Sequence, residues 1–142
     1  MGGLSKTDAQ AVNIMADTLF TWMELNLPAY NVGFEFLPVE SPALMLQSQI
    51  TDPVIKRYKS GRVMYRYQFA LYLRVENDDT QARIDAQKGI TAAVMAILGA
   101  DLNADGFTVW DIRQDTTARI MSTDEGFDVL MATCHIDYIT EV

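Results

Sequence analysis

"GRVMYRYQFALYLRV", residues 61–75, is the stretch that decides the fold. After Gly61, every second residue is apolar or aromatic, which is the period of a β-strand with one buried face. We therefore predict a long strand over residues 62–75. Its buried side chains would be Val63, Tyr65, Tyr67, Phe69, Leu71, Leu73 and Val75. The opposite face is half cationic and half apolar, and it carries Met64, Arg66, Gln68, Ala70, Tyr72 and Arg74.

The rest of the chain predicts two helices and further strands around this one. Apolar residues at helical spacing predict helices over 7–25 and 79–98, with a capping box at Thr7-Asp8-Ala9-Gln10 and Gly99 ending the second helix. Strands are predicted over 32–37, 43–50, 107–113, 116–121 and 127–140, with a short extended piece at 54–58. The order α-β-β-β-α-β-β-β predicts a single α+β domain over 1–142, with a mainly antiparallel sheet and both helices packed on one face.

Composition limits the possible partners. The chain has 142 residues and a net charge of −8, so it lacks the general cationic surface that grips nucleic acid. No apolar run approaches the length of a membrane span, and the N-terminus lacks the apolar core of a signal peptide. Cys134 is the single cysteine and cannot form an internal disulfide. These features predict a protein that is located in a reducing cytoplasm and binds neither membrane nor duplex DNA.

Residues 101–106, "DLNADG", match the first half of a calcium loop. Asp101, Asn103 and Asp105 would be ligands, and Gly106 would make the sharp turn. The second half does not match, because Ile112 stands where a bidentate Glu is required and a predicted strand replaces the exiting helix. The alternative is a polar connection between helix and strand, where Asp and Asn are common.

Thr133, His135 and Asp137 share one face of the last predicted strand. Residues two apart in a strand are separated by about 6.5 Å, which is far for a hydrogen-bonded triad. Cys134 points to the opposite, apolar face and cannot pair with His135. We therefore expect a solvent-facing polar row without catalysis. The chain also has no phosphate-binding glycine loop and no Cys or His pair for zinc, so no enzyme activity and no cofactor are expected.

Six of the eleven cationic residues lie within nineteen positions: Lys56, Arg57, Lys59, Arg62, Arg66 and Arg74. They could protect a solvated strand edge by charge. They could instead form a contact surface for an acidic partner, with Val54 and Tyr58 as apolar anchors. In either case, exposed charges contribute little to stability, so we expect replacement of Lys56, Arg57 and Lys59 by Glu to leave the monomer folded.

Part of the sequence resembles a known protein family. Ser41-Pro42-Ala43-Leu44, then "DPVIKRYKSGRVMYRYQFALYLRV" (52–75) and a helix rich in Ala and Gln, resembles the minor capsid or tail-terminator (head–tail joining) proteins of long-tailed bacteriophages of Gram-positive hosts. The resemblance covers about residues 30–98. The matching residues are Pro53, Val54, Lys56, Tyr58, Gly61, Phe69, Ala70, Leu71, Tyr72, Leu73 and Arg74.

The resemblance implies a structural protein of the virion, assembled in the host cytoplasm. Tail terminators close the head-proximal end of the tail tube, commonly as a hexameric ring, and present a surface to the head connector. The implied partners are other copies of the chain, the tail tube protein and the connector, with DNA passing through unbound. A head-completion or connector protein, and a small ligand- or calcium-binding module or enzyme, remain alternatives. The expected interface comprises Val54, Lys56, Arg57, Tyr58, Lys59, Arg62, Met64, Arg66, Tyr72 and Arg74.

Overall fold

The computed structural model describes residues 6–49, 51–104, 106–124 and 126–141. Within these ranges the chain forms two helices and six strands. They are α1 (Lys6–Asn26), β1 (Asn31–Phe34), β2 (Ala43–Ser48), β3 (Val54–Arg57), β4 (Val63–Glu76), α2 (Thr80–Leu98), β5 (Phe107–Asp124) and β6 (Phe127–Thr140).

β4 is the central strand of the sheet. One edge of β4 pairs with β6 along its whole length, and β5 pairs with the far side of β6. The other edge pairs with β2 at residues 69–74 and with β3 at residues 63–65. The strand order is therefore β1-β2-β4-β6-β5, with β3 beside β4, and among the strands that the structure describes only β1 and β2 pair in parallel. The predicted α+β class with a mainly antiparallel sheet is confirmed.

The core lies between one face of the sheet and both helices. The alternate residues of β4 from Tyr65 to Leu73 are buried there with apolar residues of α1 and α2. Two tyrosine hydroxyls fasten α1 to the sheet, since Tyr65 donates to the Asp8 carboxylate (2.7 Å) and Tyr138 donates to the Ala11 carbonyl (2.9 Å). Burial, followed by the bond to Asp8, raises the pKa of Tyr65 to about 12. The predicted buried face of β4 is thus the face that both helices cover.

The strands are distributed differently from the prediction. Residues 107–113 and 116–121 belong to one strand, β5, whose pairing with β6 shifts register at four points. Each shift is a bulge that resets the alternation of side chains, which made one strand resemble two. The segment 54–58 contributes a paired strand, β3, so four strands precede α2 and two follow it. Thr7 lies inside α1 and does not cap it, because Lys6 is already helical.

β1 is shorter than the predicted strand over 32–37. It ends at Phe34, and Glu35 adopts a positive φ of 62° that turns the chain back. The turn brings other atoms close to Gly33. A Cβ at this position would lie 2.4 Å from the Phe36 carbonyl oxygen and 2.9 Å from Pro38 Cδ. This compact loop lets two adjacent strands run parallel without the helical crossover that usually joins them.

We expect Gly33→Ala to destabilise the protein by about 1–3 kcal/mol, because its Cβ would collide with backbone atoms that cannot move independently of the loop. Urea denaturation measures the change. Gly99→Ala is the matched control, since a Cβ there meets its nearest atoms at ordinary contact distance, 3.8 Å from the Met95 carbonyl oxygen. Equal unfolding midpoints for the two variants would contradict the tight-turn interpretation.

Candidate functional site

The face of the sheet turned away from the helices is the candidate interface, and we call it the open face. None of its side chains belongs to the buried cluster that contains both helices. Alternation along β2, β4 and β6 assigns it Met45, Met64, Arg66, Gln68, Ala70, Tyr72, Arg74, Val129, Met131, Thr133, His135, Asp137 and Ile139. Most of these residues are half-buried, and Met45, Ala70, His135 and Ile139 are buried.

Cross-strand pairing concentrates polar groups at the middle of the open face. Arg66 lies opposite Asp137 and donates from Nε and Nη2 to its two carboxylate oxygens at 2.8 and 3.0 Å. Asp137 Oδ2 is also 3.9 Å from His135 Nε2. The other ring nitrogen, Nδ1, is 2.7 Å from Asp115 Oδ1. An aspartate carboxylate therefore lies beside each ring nitrogen of the single histidine.

His135 is 7% exposed, so the expectation that it faces solvent was wrong. β5 bulges on both sides of Thr116, and the Asp115 carboxylate reaches the imidazole ring, which the sequence alone could not show. The hydroxyl of Thr133, on the same face, is hydrogen-bonded to the hydroxyl of Thr116 at 2.8 Å. A cavity of about 260 Å³ lies beside Asp115 and Thr133, but His135 is not among its lining residues. Within the described residues, this arrangement orients no nucleophile toward the histidine.

Four of the six cationic side chains between Lys56 and Arg74 form hydrogen bonds or ion pairs with other groups of the same chain. Arg57 pairs with Asp8 at 2.5 Å, and Arg62 Nε donates to the Thr140 carbonyl at 3.0 Å. Arg66 is held by Asp137. Arg74 Nη2 donates to the carbonyls of residues 38 and 39 at 2.6 and 2.7 Å, and its guanidinium lies 5.4 Å from the Phe127 ring centre.

The two lysines remain on the surface. Lys56 places its ammonium 5.0 Å from the centre of the Tyr58 ring, and Lys59 follows in the exposed turn before β4. Their charge is therefore available to a partner, whereas the four arginines mainly position their own neighbours. The predicted interface residues do not form one surface. Met64, Arg66, Tyr72 and Arg74 lie on the open face, whereas Lys56, Tyr58, Lys59 and Arg62 lie on β3 or in the turn after it. Val54 packs against the core, and Arg57 reaches Asp8 of α1.

Arg57 is not a free surface charge, contrary to the expectation from sequence. Its partner Asp8 is 1% exposed and also accepts the Tyr65 hydroxyl. A side-chain hydrogen bond and charge attraction from Asp8 raise the pKa of Arg57 above its usual value. Because removing one partner of such a pair leaves a charge in a dry site, substitutions at position 57 act on stability.

The calcium-loop hypothesis receives no support from geometry. Asp101 and Asn103 are exposed, whereas Leu102 and Ala104 between them are buried. Asp105 lies outside the described residues. Among the residues that the structure describes, no three His, Cys, Asp or Glu side chains are grouped as metal ligands would be. The segment connects α2 to β5, and the Phe107 N–H donates to the Ala104 carbonyl (3.1 Å) within it.

Sequence reasoning missed the exposed apolar side chains on the edge strands β3 and β5, which include Ile120 and Met121. Trp110 is 71% exposed on β5, and Ile55 is 47% exposed on β3. A signal for the first was present: apolar positions on β5 change from odd at Phe107 and Val109 to even at Ile112, which leaves Trp110 as an extra residue. Both side chains point away from the core because they lie at bulges.

No helix in the described part of the chain is long and apolar enough to cross a membrane.

Comparison with known proteins supports the fold. No protein-family model matches the sequence, and no curated protein matches it significantly. Fourteen solved chains match in structure. One of them, whose name states no function, is 15% identical with a TM-score of 0.52, and the match covers 96% of each chain. At this identity the similarity shows that the α+β architecture occurs elsewhere over its full length, and it shows the fold alone.

We expect Arg57→Glu to lower the urea midpoint of unfolding, because it places a carboxylate against the buried Asp8. Lys59→Glu is the matched control: it makes the same charge change two residues away on an exposed side chain and should alter stability by no more than about 0.5 kcal/mol. Equal effects of the two substitutions would mean that the pair with Asp8 contributes nothing.

Proposed function

We propose that the chain is a structural virion protein that closes the head-proximal end of a phage tail tube as a ring of identical copies and provides the docking surface for the head connector. The observation that carries the proposal is the open face. Met64, Tyr72 and Met131 are only half-buried on a sheet face that neither helix covers, so part of their apolar surface is left for a partner to bury. A face of this kind suits contact with another protein, as the resemblance of residues 52–75 to tail terminators implies.

The charge distribution is consistent with this role. Net charge is −8 per copy, so a ring of copies would repel the phosphates of DNA that passes through its lumen. Two exposed lysines, Lys56 on β3 and Lys59 in the turn after it, carry charge that could orient a neighbouring subunit or the tail tube.

The same surfaces would serve a head-completion or connector protein, so the position in the virion decides between the two. An enzyme or ligand-binding module would require a concave site with a positioned reactive group. His135 is committed to Asp115 at one nitrogen and faces Asp137 at the other. That arrangement is the pattern of a buried structural histidine and gives the enzyme alternative no specific support.

The charge of the ring predicts no measurable binding of duplex DNA at physiological salt. A gel-shift titration with the purified protein measures it, with a basic DNA-binding domain as the positive control. Salt-sensitive binding at sub-micromolar concentration would contradict the acidic-lumen part of the proposal.

The tail role predicts that Lys56→Glu combined with Lys59→Glu leaves the monomer folded but yields phage tails of uncontrolled length. Both side chains are exposed, so stability should be preserved, whereas their charge toward an acidic neighbour is reversed. Electron microscopy of tails from a deletion phage complemented by the variant measures tail length, and Lys88→Glu on the exposed face of α2 is the matched control.

Three outcomes count against this role. They are wild-type titre for the double variant, symmetry at the tail end that is neither six-fold nor three-fold, and particles in which the protein is found on the head but not on free tails. The last outcome would favour the connector alternative.

A further inference from the structure

A groove separates α1 from the segment that connects α2 to β5. Its volume is about 350 Å³. Residues 17, 18, 21, 22 and 25 line one wall, and residues 101–103 line the other. The spacing of the first set places it on one face of α1. The groove therefore includes Asp101 and Asn103, two of the residues that suggested a calcium loop.

The core holds both walls of the groove in place. Leu102 is 4% exposed and belongs to the buried cluster, which leaves Asp101 and Asn103 exposed on either side of it. On α1, Trp22 is half-buried and packs against the same cluster. Because each wall is anchored by an apolar side chain, the groove is formed before any partner arrives.

The α1 wall offers apolar surface that the monomer leaves uncovered. Leu25 is 75% exposed, and part of the Trp22 indole is accessible as well. The Thr18 hydroxyl donates to the Ile14 carbonyl (2.7 Å), so its proton is used within the helix. An indole and a leucine side chain therefore dominate the contact surface on this wall.

The charged side chains that line the groove are both acidic, one on each wall: Asp17 and Asp101. Neither carboxylate pairs with a cation in the described part of the chain. Four other aspartates do pair with an arginine of the same chain; they are Asp8, Asp111, Asp128 and Asp137. The two carboxylates of the groove thus remain available to a cation from outside.

We propose that this groove binds an arginine side chain of a partner protein, with the guanidinium group held by Asp17 and Asp101 and the aliphatic stem against Trp22 and Leu25. A guanidinium group has five N–H donors, is weakly hydrated and stacks on aromatic rings. A lysine ammonium would pair with one carboxylate as a point charge but would not stack along the indole.

This inference goes beyond the proposed function and does not depend on it. The groove lies on the helix side of the sheet, away from the open face and from β3. It assigns the partner a basic residue, whereas the lysines of β3 and the following turn would meet an acidic surface.

An NMR titration of the ¹⁵N-labelled protein with N-acetyl-arginine methylamide tests the groove. The indole N–H signal of Trp22 reports binding, and Trp110→Phe identifies it by removing the other indole signal. The control ligand is the citrulline analogue, which has nearly the same shape without the charge. We expect the arginine compound to bind about tenfold more tightly than the citrulline compound, because only the former makes charge-assisted hydrogen bonds.

Two variants show whether the carboxylates are responsible. Asp17→Asn combined with Asp101→Asn should weaken arginine binding about tenfold and leave citrulline binding unchanged. Glu24→Gln is the matched control, because it removes a charge from an exposed position on α1 that does not line the groove. It should change the arginine affinity by less than about twofold, since exposed charges are screened by salt.

Four results would overturn the proposal. The first is the absence of a saturable Trp22 shift up to the solubility limit of the arginine compound, and the second is equal affinity for arginine and citrulline. The third is a Trp22 shift produced by calcium chloride at lower concentration than by arginine, which would indicate an ion site. The fourth is a Trp22 shift that grows with protein concentration alone and is lost in the double variant, which would place a second copy in the groove.

Discussion

The packing of β4 beneath two helices and between the three strands that pair with it is the constraint on which the other parts of the structure depend. Its helix-facing side chains are nearly inaccessible to water, and Phe69, Leu71 and Leu73 each contribute roughly 1.5–3 kcal/mol by burial. Its tyrosines add hydrogen bonds that only one arrangement satisfies, since the Tyr65 hydroxyl bonds to Asp8 of α1 and the Tyr67 hydroxyl bonds to the Ser48 hydroxyl of β2 at 2.6 Å. A shift of β4 by one residue would remove all of these contacts at once.

This constraint explains which parts of the fold the sequence predicts. Period-two alternation in residues 63–75 and 127–140 and the apolar stripes of both helices are local signals, and those elements agree with the structure to within about two residues. β5 was divided into two strands because bulges break alternation without breaking pairing. The predicted β1 is too long because Glu35 adopts a positive φ, which the residue type glutamate does not indicate.

The candidate site was less predictable because its determinants are distant in sequence. Arg57 and Asp8 are 49 positions apart, and no local pattern shows that they meet. His135 follows the alternation of an exposed face, yet Asp115, twenty residues earlier, comes within 2.7 Å of it. Sequence alone identified the second face of β4, but it could not show that the six cationic residues lie on different surfaces or which of them are already paired.

The open face and the sheet edges present different kinds of surface. On the open face, Arg66, Asp137 and His135 satisfy one another, so the polar centre is rigid and already neutralised before any partner arrives. At the edges, Trp110 and Ile55 expose apolar area with little internal contact, and Lys56 and Lys59 keep their charge available. A partner on the open face would need to match shape around a fixed polar network. A partner at the edges would gain mainly by burying apolar area, because these are the side chains that the monomer packs least.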